Sequence, residues 1–306
     1  MPKIIIKIFF LLIFLVVFIF SCKSGKEEKK IKLNNIKSQD EVKLLNIDEK
    51  NQIRIAIAPV LSPQASIFMY NELIKFIEKK SGYKMVIIQS ANYSNTNELL
   101  KNGLCDIAFI CTGAYMQLKN QNIEILAIPV INGECNYYSY IITNKDSNIK
   151  SFIELENKKF SFTDPLSLSG FLYVKYLLKL NNKNIRTFFS KTIFTYSHDN
   201  SIMAVIQDLV DGAAVDSLVY NKLLNDRLAG IEKVKIIHKS TPFGISPVVI
   251  RGDMDKEFIK ILRKIFLNIH NDDEGKIILR NIGIDRFIFT NDDIYSNLKW
   301  INELNK

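Results

Sequence analysis

The chain has 306 residues, 47% of them hydrophobic, enough for one large domain or for two lobes with separate cores. A charged fraction of 24% with only 12 Gly and 7 Pro excludes disorder, collagen-like repeats and low-complexity architecture. The net charge of +9 comes from Lys and Arg spread along an Asn- and Ile-rich chain and not from a basic patch, so nucleic acid is not an expected partner.

Lys3 and Lys7 precede an unbroken apolar run from Ile8 to Phe20. As a helix that run spans roughly 20 Å, short of a ~30 Å hydrocarbon core, and it has the form of a secretory signal. It ends at Ile19-Phe20-Ser21-Cys22, which resembles a bacterial lipobox, with Phe20 where a smaller residue is usual. Residues 1–21 are therefore expected to be a lipoprotein signal peptide and Cys22 the lipidated residue. Polar sequence over 22–50 reads as a flexible tether with a reach of roughly 30 Å. The expected location is the cell envelope, exported and held to a membrane by the lipid.

The folded part alternates strands and helices. Ile53 to Ala58 reads as a strand, and Ser62-Pro63 as an N-cap with Pro at the first helical position. The helix runs to about Lys80 on the spacing of Ile67, Tyr70, Leu73, Ile74 and Ile77, and stops at Gly82. Lys84 to Gln89 follows as a strand, Asn95 to Lys101 as a helix, and Asp106 to Ile110 as a buried strand leading into Thr112-Gly113 and another helix. The pattern recurs in Lys159 to Phe162, Phe171 to Leu180, Thr192 to Thr195 and Ser201 to Val210. Asp211 to Asp216 echoes Asp106 to Phe109. This alternation predicts parallel sheets covered on both faces. Tyr137 to Thr143 and Ser246 to Ile250 are expected to cross between lobes, and helices from about Asp255, Asp273 and Asn291 to close the first lobe.

Polar residues gather where strands give way to helices: Thr112-Gly113, Ser167-Leu168-Ser169-Gly170 and Ser197-His198-Asp199. Open parallel sheets bind ligands beyond the carboxyl ends of their strands, where free helix N–H groups favour an anion. Two serines and a glycine before a strong helix can converge hydroxyls and backbone N–H groups on one oxyanion, although Ser169 could equally cap that helix. Catalytic signatures such as GxSxG, HExxH or a Walker sequence are missing, as is any CxxC or Cys/His cluster for zinc. Cys105, Cys111 and Cys135 read as structural, their pairing left open, and no cofactor or metal is expected.

These stretches together resemble the phosphate/phosphite/phosphonate-binding proteins, the PhnD-like solute-binding components of ABC importers. The resemblance covers roughly Ile53 to Phe289. It rests on Ile55-Ala56-Ile57-Ala58-Pro59, Ser81-Gly82-Tyr83, Asp106 to Tyr115, Thr163 to Gly170 and Ser197-His198-Asp199. It implies a two-lobed α/β type II periplasmic-binding fold, each lobe a mostly parallel sheet flanked by helices, joined by two crossing strands. On that reading residues 51–142 and 245–306 form the first lobe and 143–244 the second. The family pattern implies that Ser167, Leu168 and Ser169 cradle the phosphorus oxyanion, that His198 donates a further bond, and that Tyr93 and Tyr138 close over it. It also puts Asp216 against a ligand ammonium or a phosphonyl proton, and Thr112, at its own strand-to-helix junction, is expected to bind ligand as well. The implied partners are a membrane permease and its ATPase, served by a monomer. A sensor or adaptor for a membrane receptor, or an exported enzyme, are the alternatives. Two departures matter: Leu168 stands where Thr is usual, and Ser246 where an acid precedes Pro in relatives that bind aminoalkylphosphonates. Weak discrimination in favour of 2-aminoethylphosphonate is therefore expected.

Overall fold

The computed structural model describes residues 52–304. The signal sequence, Cys22 and the tether lie outside them.

The first sheet has six strands in the order β13-β4-β12-β3-β1-β2, built from β1 (Gln52–Ile57), β2 (Lys84–Gln89), β3 (Ile107–Phe109), β4 (Ile123–Val130), β12 (Val248–Arg251) and β13 (Arg286–Ile288). Between them run α1 (Pro63–Ser81), α2 (Tyr93–Lys101), α3 (Thr112–Leu118), α8 (Lys256–Asn268) and α9 (Asp273–Ile282). Apolar Ile55, Leu73, Phe76, Leu126, Leu262 and Phe266 form its core. As the sequence predicts, α1 starts with Pro63 after Ser62 and stops at Gly82, whose φ of 76° is the left-handed region that glycine enters freely.

The second sheet has five strands in the order β10-β6-β9-β7-β8: β6 (Ser139–Asn144), β7 (Lys159–Phe162), β8 (Lys191–Phe194), β9 (Gly212–Asp216) and β10 (Val234–Lys239). Its helices are α4 (Tyr173–Leu180), α5 (Ile185–Phe188), α6 (His198–Ile206) and α7 (Ser217–Asn225). Only β2-β1-β3 and β9-β7-β8 pair in parallel. β6 and β12, which arrive from the other lobe without a crossover helix, pair antiparallel on both sides, and so do the strands beyond them.

The crossings fall a few residues earlier than expected. β5 (Asn136–Tyr137) and β11 (Phe243–Gly244) form a two-stranded antiparallel ribbon between the sheets. β6 pairs along its whole length with β9, so the chain enters the second sheet at Ser139 and the anticipated boundary at 142/143 falls inside a strand. The segment from Asn291 also departs from expectation. Asp292–Glu303 is a 3₁₀ helix that packs on the ribbon, with Tyr295 against Tyr115 and Trp300 stacked 4.4 Å from Tyr176 in α4. Tyr295, Leu298 and Ile301 are buried, and a spacing of three places them on one side of a 3₁₀ helix.

Asp106, just before β3, accepts from Arg54 through the backbone N–H at 2.8 Å, Nε at 3.0 Å and Nη2 at 2.7 Å. Arg251 adds a second guanidinium at 3.7 Å. Asp106→Ala should lower unfolding free energy in urea by about 2 kcal/mol, because two cations and a strand N–H lose one nearly buried acceptor. The partial exposure of Arg54 keeps the loss below that of a fully buried pair.

Candidate functional site

The site lies between the lobes, where the helix N-termini of the first meet the loop after β7 in the second. Asp164 opens that loop. Its carboxylate accepts from Leu166 N–H at 2.8 Å and, across the interface, from Tyr93 N–H at the start of α2 at 3.0 Å. Ser167 then caps a single π-helical turn, Leu168–Leu172, its Oγ accepting from Gly170 N–H at 3.0 Å. Such turns recur at ligand sites because they re-aim backbone groups. Gly170 makes this one possible: a Cβ there would stand 2.5–2.6 Å from the Thr163 side chain.

His198 begins α6 and is 1% exposed. Asp216 N–H donates to its Nδ1 at 3.0 Å, and Thr163 Oγ1 lies 3.0 Å from the same nitrogen. Nδ1 is thus an acceptor, so the neutral ring carries its proton on Nε2, which lies 3.5 Å from Ser167 Oγ. Burial pushes the imidazole down to about 3, so His198 acts at neutral pH as an uncharged donor and not as a cation. Its own N–H reaches across to Val60 O at 3.0 Å. Next to it, Asp199 accepts from Ser62 N–H at 3.0 and 3.1 Å, while the Ser62 side chain makes no cap bond.

From the first lobe come Tyr93, Cys111 and Thr112, all buried. The Tyr93 hydroxyl has no hydrogen-bond partner among the described residues. Burial raises its phenol far above the ordinary value, with Cys111, Asp164, Asp216 and Tyr137 adding to the effect. Thr112 Oγ1 donates to Gly244 O at 2.9 Å, tying α3 to the ribbon, and is close enough to the Tyr137 phenol to affect it. Cys111 Sγ donates to Leu166 O across the interface at 3.7 Å, and burial pushes the thiol up to about 11, against the pull of the backbone N–H groups of Leu168, Ala114 and Gly113. Cys105, Cys111 and Cys135 are all unpaired.

Ser167, Ser169, His198, Tyr93, Thr112 and Asp216 are therefore brought to one interface. Leu168 takes part through its backbone N–H alone, its side chain lying in the core. Ser169 holds the loop in place by accepting from Ser139 Oγ at 2.6 Å. Tyr138 does not join. It is half-buried between β5 and β6, with the Lys239 ammonium 3.7 Å above its ring. Its neighbour Tyr137 is 1% exposed, and its phenol is raised by burial and by Cys111 and Asp216, with a hydrogen bond to Thr112 acting the other way. Sequence reasoning missed Asp164 and Cys111 as well, because their partners lie in the opposite lobe. Asp216 caps α7 by accepting from Leu218 N–H at 2.7 Å, and burial raises its carboxyl to about 7. The site thus combines neutral donors with an acid that keeps its proton unusually far up the pH scale.

Residues 55–295 match the family model described as ABC transporter, phosphonate, periplasmic substrate-binding protein. The chain is 27% identical to the phosphonates-binding periplasmic protein of Escherichia coli over 73% of its own length, spanning 66%, just under two thirds, of that relative. It is 26% identical to the phosphate-import protein PhnD of Mycolicibacterium smegmatis, with 70% of each chain covered. The crystal structure of a binding-protein component of a phosphonate ABC transporter from Pseudomonas aeruginosa superposes with a TM-score of 0.77, at 25% identity, over 82% of this chain and 85% of that one. The two α/β lobes and the match over most of the chain agree: the protein belongs to the periplasmic substrate-binding proteins of phosphonate ABC transporters.

Proposed function

We propose that the protein captures a small phosphorus oxyanion between its lobes and delivers it to a membrane permease, while lipid on Cys22 holds it at the membrane. The observation that carries this reading is the buried Tyr93 hydroxyl without a partner among the described residues, at the interface to which the π-turn and His198 Nε2–H also belong. Orphaned buried donors are costly, and a ligand oxygen would satisfy them. Hydrogen bonds to a charged acceptor contribute about 1.5–3 kcal/mol each, so five or six neutral donors, less the cost of association, support micromolar binding without an arginine. The names of the two relatives, one for phosphonates and one for phosphate import, support the same class of ligand. Cys111 stays a thiol at neutral pH and offers no thiolate nucleophile, which favours binding over turnover.

The test is thermal melting of the full chain in detergent with phosphate, phosphite, methylphosphonate or sulfate. A phosphorus oxyanion at a hundred times its dissociation constant adds about 2.7 kcal/mol and should raise the melting temperature by roughly 5–10 °C. Tyr93→Phe and His198→Ala should each remove most of that shift. No shift with any phosphorus oxyanion would count against the proposal.

A further inference from the structure

Ser139 opens β6, the strand by which the chain enters the second sheet, and is fully buried. Its backbone is pinned to the return crossing: Ser139 N–H donates to Ser240 Oγ at 2.9 Å, and Ser240 N–H to Ser139 O at 3.0 Å. Its hydroxyl donates to Ser169 O at 2.6 Å, so it has no proton left for a ligand. That carbonyl and the Gly170 N–H are the two ends of one rigid peptide unit, and the N–H donates to Ser167 Oγ at 3.0 Å. A chain of hydrogen bonds therefore runs from the hinge, through a single peptide, to Ser167. At its end the Ser167 hydroxyl proton has no acceptor among the described residues. The Gly170 N–H occupies one lone pair of that oxygen, and the His198 nitrogen 3.5 Å away carries a proton of its own. Each link of such a chain polarises the next, so a hydroxyl that accepts from a polarised N–H becomes a stronger donor.

We propose that Ser139 is a positioning residue for oxyanion binding: from the hinge it fixes the Ser169–Gly170 peptide, which leaves the Ser167 hydroxyl proton for the ligand and strengthens it as a donor. The inference rests on the oxyanion reading above and deepens it. It makes the hinge strand and the binding turn one unit, so that closure of the lobes brings in a donor whose orientation is already set.

A double-mutant cycle tests it, read by titration calorimetry on the full chain in detergent with phosphate, phosphite and methylphosphonate. Ser139→Ala should weaken binding about tenfold, since Ser169 O loses its donor and the peptide is released. In a Ser167→Ala background the chain has no end, and the same change should cost less than about threefold. Ser240→Ala removes a hydroxyl from the same hinge whose proton goes to Thr241 O and not to the turn, and should leave affinity within about threefold of wild type. In ligand-free Ser139→Ala the Gly170 amide proton, followed by NMR with glycine-selective labelling, should move upfield as its bond to Ser167 weakens. Wild-type affinity in Ser139→Ala, an equal loss in both backgrounds, or an unmoved Gly170 amide proton overturns the proposal while the oxyanion site stands. If the wild-type protein binds none of the three compounds, the oxyanion reading falls and this inference with it.

Discussion

Gly113→Ala should weaken oxyanion binding at least a hundredfold while leaving the ligand-free melting temperature within about 3 °C of wild type. Gly113 lies in the first turn of α3, and a Cβ there would stand 2.2 Å from Leu166 O and 2.9 Å from Leu168 N. Both atoms belong to the backbone of the opposite lobe, so neither can swing aside as a side chain could. The clash exists only when the lobes are closed. With them parted, alanine is the better helix former by roughly 1 kcal/mol, and neither lobe loses a core contact. Relieving an overlap of about 1 Å means holding the π-turn and His198 away from Tyr93, and hydrogen bonds weaken steeply with such displacement. A hundredfold loss corresponds to about 2.7 kcal/mol, a moderate cost for that separation. Calorimetry gives the affinity, and small-angle scattering shows whether ligand still compacts the variant. Wild-type affinity with normal compaction would remove the closed-cleft geometry as the binding-competent state.

Much of this fold is legible from local chemistry. Ser62-Pro63 and Gly82 mark the ends of α1, and the acid-led strand at Asp106 and the serine loop at 167–169 stand where the residues point. Local rules fail where the determining partner is distant. Tyr137 and Tyr138 are adjacent in the chain, and the register of Tyr137 against Phe243 in the ribbon decides which one is fully buried. The same holds for Asp164, whose partner Tyr93 lies 71 residues away, and for Asp199 opposite Ser62. By contrast, the 3₁₀ character of Asp292–Glu303 was available in the three-residue spacing of Tyr295, Leu298 and Ile301. A helical periodicity of 3.6 passes over that signal.

Asp216→Asn should stabilise the protein by about 4 kcal/mol at pH 8 and leave it unchanged at pH 4. The folded carboxyl titrates near 7 against an ordinary 3.8, because burial disfavours its charge and no cation lies among the groups that shift it. As pH rises from about 4 to 7 the unfolded chain releases this proton and the folded chain keeps it. Stability is lost over that window and stays lost above it. Asparagine carries no charge and can still accept from Leu218 N–H at the start of α7, so the cap survives. His198 acts in the opposite sense: its folded value near 3 lies below the ordinary 6.5, so its contribution is complete above pH 6.5 and falls away toward pH 3. Between pH 4 and 6.5 the two nearly cancel in wild type. The variant should therefore unmask a steep acid loss as well as an alkaline gain. Urea unfolding at pH 4, 5.5 and 8 separates these effects, and a variant-minus-wild-type difference that stays constant with pH would refute a buried, proton-retaining Asp216. Above pH 7 an ionised Asp216 also repels a bound oxyanion, so wild-type affinity should fall more steeply with pH than that of Asp216→Asn.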